Sequence, residues 1–238
     1  MTTSRRNGAR GLHGRPGIPQ RQALLIARVP SMLCAHGIAV GDCEAPGCPI
    51  WLGSPYGTRP WTTGWALSRY SGAALHDTRM GSLVHGAKYG KTPLSERRAL
   101  ADEIAGRMMG FIAEEYELSG LPFTDCVAPP SHQGKPFELA QYLCEEVSVG
   151  FGLDNSSGIL HEAVPVRSMK EIPDAAERLA LLNRAITVDP PTTSKRPIGF
   201  LIVDDVFETG ATATAICTVL RTRFPGSEFH VLTAARRF

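Results

Sequence analysis

The sequence predicts an α/β fold with a parallel-sheet core flanked by helices. Three observations predict it. From about residue 95 onward, stretches of helical periodicity alternate with short apolar runs. One run, Ile198-Gly-Phe-Leu-Ile-Val203, is continuously apolar, as strands covered on both faces are. A second, Phe229 to Ala234, closes the chain after a helical stretch, completing a strand–helix–strand unit.

The elements follow in order. Residues 1–22 form an Arg- and Gly-rich tail expected to be disordered. Residues 1–41 hold Arg5, Arg6, Arg10, Arg15, Arg21 and Arg28 and no acid, which leaves a polyanion contact or a transit-like segment open. Residues 23–66 read as a small module. It has one apolar stretch near its start, then Cys, Gly, Pro and Trp with turn signals throughout. Residues 67–238 form the main domain. A helix is expected from Ser95 to Glu117, with Leu100, Ile104, Met108, Phe111 and Ile112 at helical spacing. Asp125 to Ala128 reads as a strand stopped by Pro129-Pro130. Helices at Phe137–Val149 and Ala175–Ala185 bracket an expected strand at Ile159–Val166. Thr212–Phe224 is the last helix.

Composition narrows the function classes. With 43% hydrophobic and 20% charged residues in a 238-residue chain, a folded protein with a sizeable core is expected. The net charge of +2 singles out no polyanionic partner. No apolar run reaches the roughly 20 residues a membrane span needs, so no membrane role and a cytoplasmic location are expected. Cys126, Cys144 and Cys217 sit in apolar segments and read as core thiols. Cys34, Cys43 and Cys48 cluster, and with His36 they offer four ligands for a structural zinc. A degenerate module with reduced thiols fits the same spacing.

The most informative segment is Phe200-Leu-Ile-Val-Asp-Asp-Val-Phe-Glu-Thr-Gly-Ala-Thr-Ala-Thr214. An apolar strand meets two acids, then a Thr-Gly turn that opens a helix. Backbone N–H groups at such a turn, together with the helix dipole, suit a phosphate dianion. Gly210 lets the backbone approach the anion, while Thr209 and Thr212 add hydroxyl donors. Asp204 and Asp205, at the expected strand tip, are placed for ribose hydroxyls. The chain contains neither a Walker-type phosphate loop nor a dinucleotide fingerprint.

This segment resembles the phosphoribosyl-binding signature of type I phosphoribosyltransferases. The wider chain, over roughly residues 67–238, is similar to the ComF-type family of competence-associated phosphoribosyltransferase-like proteins. The similarity also covers Leu83-Val-His-Gly-Ala-Lys-Tyr-Gly90, Val127-Ala-Pro-Pro-Ser-His132, Phe137-Glu-Leu-Ala-Gln-Tyr-Leu143, Glu177-Arg178 with Asn183, and Val231-Leu-Thr-Ala-Ala-Arg236. The resemblance implies a type I phosphoribosyltransferase fold. It implies transfer of a phosphoribosyl group from 5-phosphoribosyl-1-pyrophosphate and Mg²⁺ to a nitrogen acceptor, releasing pyrophosphate. Glu208, Thr209, Gly210, Ala211 and Thr212 then hold the 5-phosphate. Asp204 and Asp205 hold the ribose, directly or through Mg²⁺ water. Ser131, His132, Gln133, Gly134 and Lys135 bind pyrophosphate. Lys88, Arg167 and Lys170 supply further cations, the latter two from a mobile cover over 167–173. Glu208, Asp204, Asp205 and Lys170 are the expected catalytic residues.

Position 208 is an acid where many relatives carry Ser or Thr, and Lys135 stands where the family often has an Arg-rich stretch. An active transferase and a non-catalytic ligand-binding regulator, serving DNA uptake or a bacterial defence system, both fit the loop. The acceptor hood is expected from residues 34–90, where Trp51, Trp61, Trp65 and Tyr70 either stack a base or pack the module. A homodimer and a nucleic-acid contact stay open.

Overall fold

In the computed structural model, the described residues are 48–53, 59–70, 78–116, 120–130, 136–163, 172, 174–189 and 197–238. Five strands run parallel in the order β2 (Thr63–Arg69), β8 (Glu228–Arg236), β7 (Gly199–Phe207), β3 (Asp125–Val127), β4 (Asp154–Asn155). A two-residue strand, β1 (Ile50–Trp51), adds antiparallel to β2 and completes a six-stranded sheet. The fold is therefore α/β with a mostly parallel central sheet flanked by helices. No helix among the described residues is long and apolar enough to cross a membrane.

The pleat of β7 explains the layers. Leu201 and Val203 face one way and pack with α1 (Arg79–Tyr89), α2 (Leu94–Glu115) and α3 (Leu139–Phe151). Phe200 and Ile202 face the other way and pack with α5 (Ala211–Arg223) and Leu182 of α4 (Ala175–Ala185). All four strand residues are at most 1% exposed. Burying each such side chain contributes about 1.5–3 kcal/mol before entropy is counted. That explains why this run was unbroken in its hydrophobicity.

Several boundaries differ from expectation. The strand expected at Ile198–Val203 runs on to Phe207, because β8 pairs with it as far as Phe207↔Arg236. Asp204 and Asp205 therefore lie within a strand rather than at its tip. The strand expected at Ile159–Val166 is shorter among the described residues. It is β5 (Leu160–Glu162), which leaves the main sheet and pairs antiparallel with β6 (Ile186–Val188). The expected helix Ser95–Glu117 spans Leu94–Glu115.

The strand β2 was not expected, and it crosses the boundary drawn at 66/67. It is buried along five successive positions, so it shows no alternation. Its Gly64 looked like a turn signal. In the fold, a β-carbon there would lie 2.7 Å from Trp61 Nε1, so the indole packs where a side chain would stand. Helix α1 also escaped the sequence reading. Thr78 caps it, its hydroxyl accepting from the Gly81 N–H at 2.9 Å.

Trp61, Trp65 and Tyr70 are 5%, 1% and 1% exposed, and Trp51 sets its ring edge-on to Trp65 with centroids 4.5 Å apart. These rings pack the structure. Cys126, Cys144 and Cys217 are fully buried, as expected of core thiols. Cys48 is also buried, while Cys34, His36 and Cys43 lie outside the described residues.

Candidate functional site

The chain order fixes where a ligand can sit. From β3 the chain passes through α3 to β4 on one side, whereas from β7 it passes through α5 to β8 on the other. The two excursions diverge between β3 and β7. In open α/β sheets such a switch point opens a crevice at the carboxyl ends of the strands. The turn 208–210 follows β7 at that edge, and the segment 128–136 follows β3. The start of the latter is pinned. The Ala128 N–H donates to Ser157 Oγ at 2.9 Å, and Gln141 Nε2 donates to the Pro129 carbonyl at 2.6 Å. Ser131, His132, Gln133, Gly134 and Lys135 lie outside the described residues.

The β7–α5 turn has the backbone of an anion cradle. Gly210 takes φ +82°, ψ 7°, the left-handed region that favours glycine. A β-carbon there would lie 2.7 Å from Phe207 Cζ and 3.0 Å from Arg59 Nη1. The first helical bond is Thr214 N–H to the Gly210 carbonyl at 2.9 Å, so the preceding N–H groups have no acceptor within the helix. One of them, Ala211 N–H, donates to Thr209 Oγ1 at 3.3 Å. The first turn of α5 carries no acid, so no helical side chain there neutralises the positive end of the dipole. Asp204, Glu208, Thr209, Gly210, Ala211 and Thr212, with Arg178 opposite, line a recess of about 110 Å³. A larger cavity of about 500 Å³ lies between β2, α1 and α2 and shares no residue with this turn.

The two aspartates do different things because successive strand side chains face opposite ways. Asp205, 6% exposed, turns to α1, where Lys88 Nζ lies 2.8 Å from Oδ1 and 2.7 Å from Oδ2. Lys88, expected to contact substrate, has its ammonium on Asp205. Burial alone would depress the Lys88 ammonium, but Asp205, with Asp204 behind it, raises it above its ordinary value. Asp204 turns to the recess. Its Oδ1 accepts the Asp205 N–H at 2.8 Å. Burial first, and the neighbouring Asp205 charge second, push its carboxyl up to about 7.

Two cations at this edge were assigned no role from sequence. Arg178, on α4, donates from Nη1 to Glu208 Oε2 at 2.7 Å and from Nε to the Ile172 carbonyl. Arg59 donates from Nη1 to the Thr209 carbonyl at 3.2 Å. The Glu177-Arg178 match is the one signal in the sequence that touches Arg178; Arg59 has none.

Arg167 and Lys170 lie outside the described residues. Among the described residues nearby, β5 pairs with β6 from Leu160↔Val188 to Glu162↔Ile186, and the Ala163 N–H donates to the Ala185 carbonyl at 2.7 Å. Arg178 then fastens α4 to the turn. Replacing Arg178 by Ala is expected to lower stability by about 1 kcal/mol, read as a lower urea midpoint. An unchanged midpoint would show that this latch holds nothing.

Among the described residues, no group of three or more His, Cys, Asp or Glu side chains is arranged to hold a metal. Asp204 is the one of the two aspartates that faces the recess, and a single carboxylate there fits Mg²⁺, which commonly takes one or two carboxylates and completes its shell with water and substrate phosphates. No protein-family model matches this chain, and no curated protein is significantly similar to it.

Proposed function

We propose that the chain is a type I phosphoribosyltransferase of ComF-like architecture. It binds 5-phosphoribosyl-1-pyrophosphate with Mg²⁺ and transfers the phosphoribosyl group to a nitrogen acceptor. The observation that carries this reading is the β7–α5 turn at the sheet's switch point. There a left-handed Gly210 and an acid-free helix start form an anion cradle directly beyond an Asp-Asp pair.

In this reading the turn 208–212 receives the 5-phosphate. Asp204, facing the recess, holds ribose hydroxyls and the water shell of Mg²⁺, and Asp205 is held in register by Lys88. When bound, Mg²⁺ supplies charge compensation for the pyrophosphate oxygens. The bond from C1 of the ribose to the pyrophosphate oxygen breaks, and a bond from the acceptor nitrogen to C1 forms. The proton lost by that nitrogen passes to Glu208 or to solvent; Glu208 is 46% exposed even while paired with Arg178. In this reading Ser131 to Lys135 serve the departing pyrophosphate, with Arg167 or Lys170 adding positive charge to it.

Calorimetry with the donor and Mg²⁺ tests the reading directly. One-to-one binding is expected, and an absence of binding overturns it. Gly210→Ala is expected to weaken donor binding by about tenfold or more, since the left-handed backbone and the two close contacts must both give way. Pyrophosphate release across a panel of nitrogen heterocycles separates transfer from mere binding. Tight donor binding with no release would favour the regulator reading.

A further inference from the structure

We propose that Arg178 is a second arm of the phosphate cradle, and that Glu208 occupies this arm in the empty site as an internal substitute for the phosphate. Arrival of the 5-phosphate then frees Glu208. The inference rests on the phosphoribosyl reading above and adds a regulation of that same site.

The pair stands across the recess. Arg178 and Glu208 both line it, together with the first residues of α5. Nη1 of Arg178 donates to Glu208 Oε2 at 2.7 Å. The two partners are not equally held. The Arg178 side chain is 13% exposed, and its Nε donates to the Ile172 carbonyl. Its helix neighbours Leu179 and Leu182 pack in the core shared with α5. Glu208 is 46% exposed, and its carboxylate has Arg178 as its one partner among the described residues. The arginine is therefore the fixed member and the glutamate the one free to swing away.

A guanidinium carries its N–H donors in a fixed fork. Here Nε takes a carbonyl and Nη1 the carboxylate, while among the described residues nothing accepts from Nη2. Carboxylates and phosphates fit the same fork, but a phosphate dianion brings more charge and a third oxygen. The turn adds donors as well, the N–H groups at the start of α5 that have no acceptor within the helix. A phosphate in the recess meets both sets of donors, whereas the Glu208 carboxylate holds Arg178 alone. Repulsion between the dianion and Glu208 then drives the glutamate outward. Glu208 thereby becomes available to an acceptor nitrogen only after the phosphate is seated, which sets the donor ahead of the acceptor.

The test uses the full chain and calorimetry at pH 8, where a sugar phosphate is mainly a dianion. Donor binding with Mg²⁺ is measured first, and ribose 5-phosphate is then titrated into each variant. Glu208→Gln is expected to bind ribose 5-phosphate about tenfold tighter than the parent, and Arg178→Ala about tenfold weaker. Arg178→Lys, which keeps the charge without the fork, should fall between Arg178→Ala and the parent. In the double variant the gain from Glu208→Gln should shrink to about twofold or less, since the contested arm is gone. A latch that only braces the turn predicts the opposite sign, because breaking it at Glu208 would weaken binding. Equal or weaker binding by Glu208→Gln, unchanged binding by Arg178→Ala, or a full gain persisting without Arg178 would each overturn the proposal. So would a parent protein that binds the donor but not ribose 5-phosphate. Absence of donor binding by the parent would instead overturn the phosphoribosyl reading, so the two failures are told apart.

Discussion

Replacing Lys88 by Met is expected to destabilise the ligand-free protein by about 2–3 kcal/mol at pH 8. Asp205 is 8% exposed at its side chain and Lys88 30%, so the pair is largely withdrawn from water. Removing one partner of a buried pair typically costs about 3–5 kcal/mol, because the other charge is left uncompensated. The partial exposure of Lys88 reduces that figure. The deficit should depend on pH. Without the ammonium, which lowers the Asp204 carboxyl, Asp204 holds its proton up to a still higher pH than in the unfolded chain. The folded state then binds more protons than the unfolded one, and its stability falls as pH rises through the carboxyl range. Urea titrations at pH 5 and pH 8 should therefore show the smaller loss at pH 5. Equal stability of variant and parent at pH 8 would mean that the ion pair contributes nothing.

The second large effect comes from Asp204→Asn, which is expected to stabilise the ligand-free protein while removing its donor binding. The folded carboxyl sits at about 7 against an ordinary 3.8. Its folded value is raised, so the native state holds a proton that the unfolded chain releases. Stability linked to this group is complete below about pH 4 and is lost as pH rises through about 7. At pH 8 the charged form is a burden on the order of 2 kcal/mol, discounted because Asp204 keeps part of its surface open to the recess. Asparagine does not ionise and escapes it. Thermal melts at pH 8 should show a higher midpoint for the variant, and the gap should close near pH 4.5. Donor binding with Mg²⁺ needs the carboxylate, so in the parent protein affinity should climb with pH until about 7 and then level off. Asp204→Asn with Asp205→Asn should bind no donor at all. Undiminished binding by the double variant would remove both residues from the site.

The parts of this molecule that could be read in advance are those whose physics is local. Ile198 to Val203 announces a buried strand because every side chain in it is apolar. The Thr209-Gly210 turn announces a helix start because few other residues suit that backbone. The contacts that complete the site are not local. Lys88 meets Asp205 across 117 positions, and Arg59 meets Thr209 across 150. Nothing near Arg59 in the sequence distinguishes it from other arginines, since its place depends on Trp61 packing over Gly64 and on β2 joining β8. Strand β2 was hidden by its own burial, as a strand covered on both faces shows no alternation and Gly64 imitates a turn. Arg178 was visible as a pattern but not as a function, because its partner Glu208 lies in another element, 30 positions away.

The margins of the sheet bear on how copies of this chain can associate. On one side the last strand is β1, two residues long and antiparallel to β2. On the other it is β4, also two residues long, built from the exposed Asp154 and Asn155. Among the described residues, neither margin offers a long, flat ladder of free peptide groups on which a second molecule could continue the sheet. Growth by strand addition, the usual start of fibrous aggregation, is blunted at both ends by brevity and, at β4, by charge.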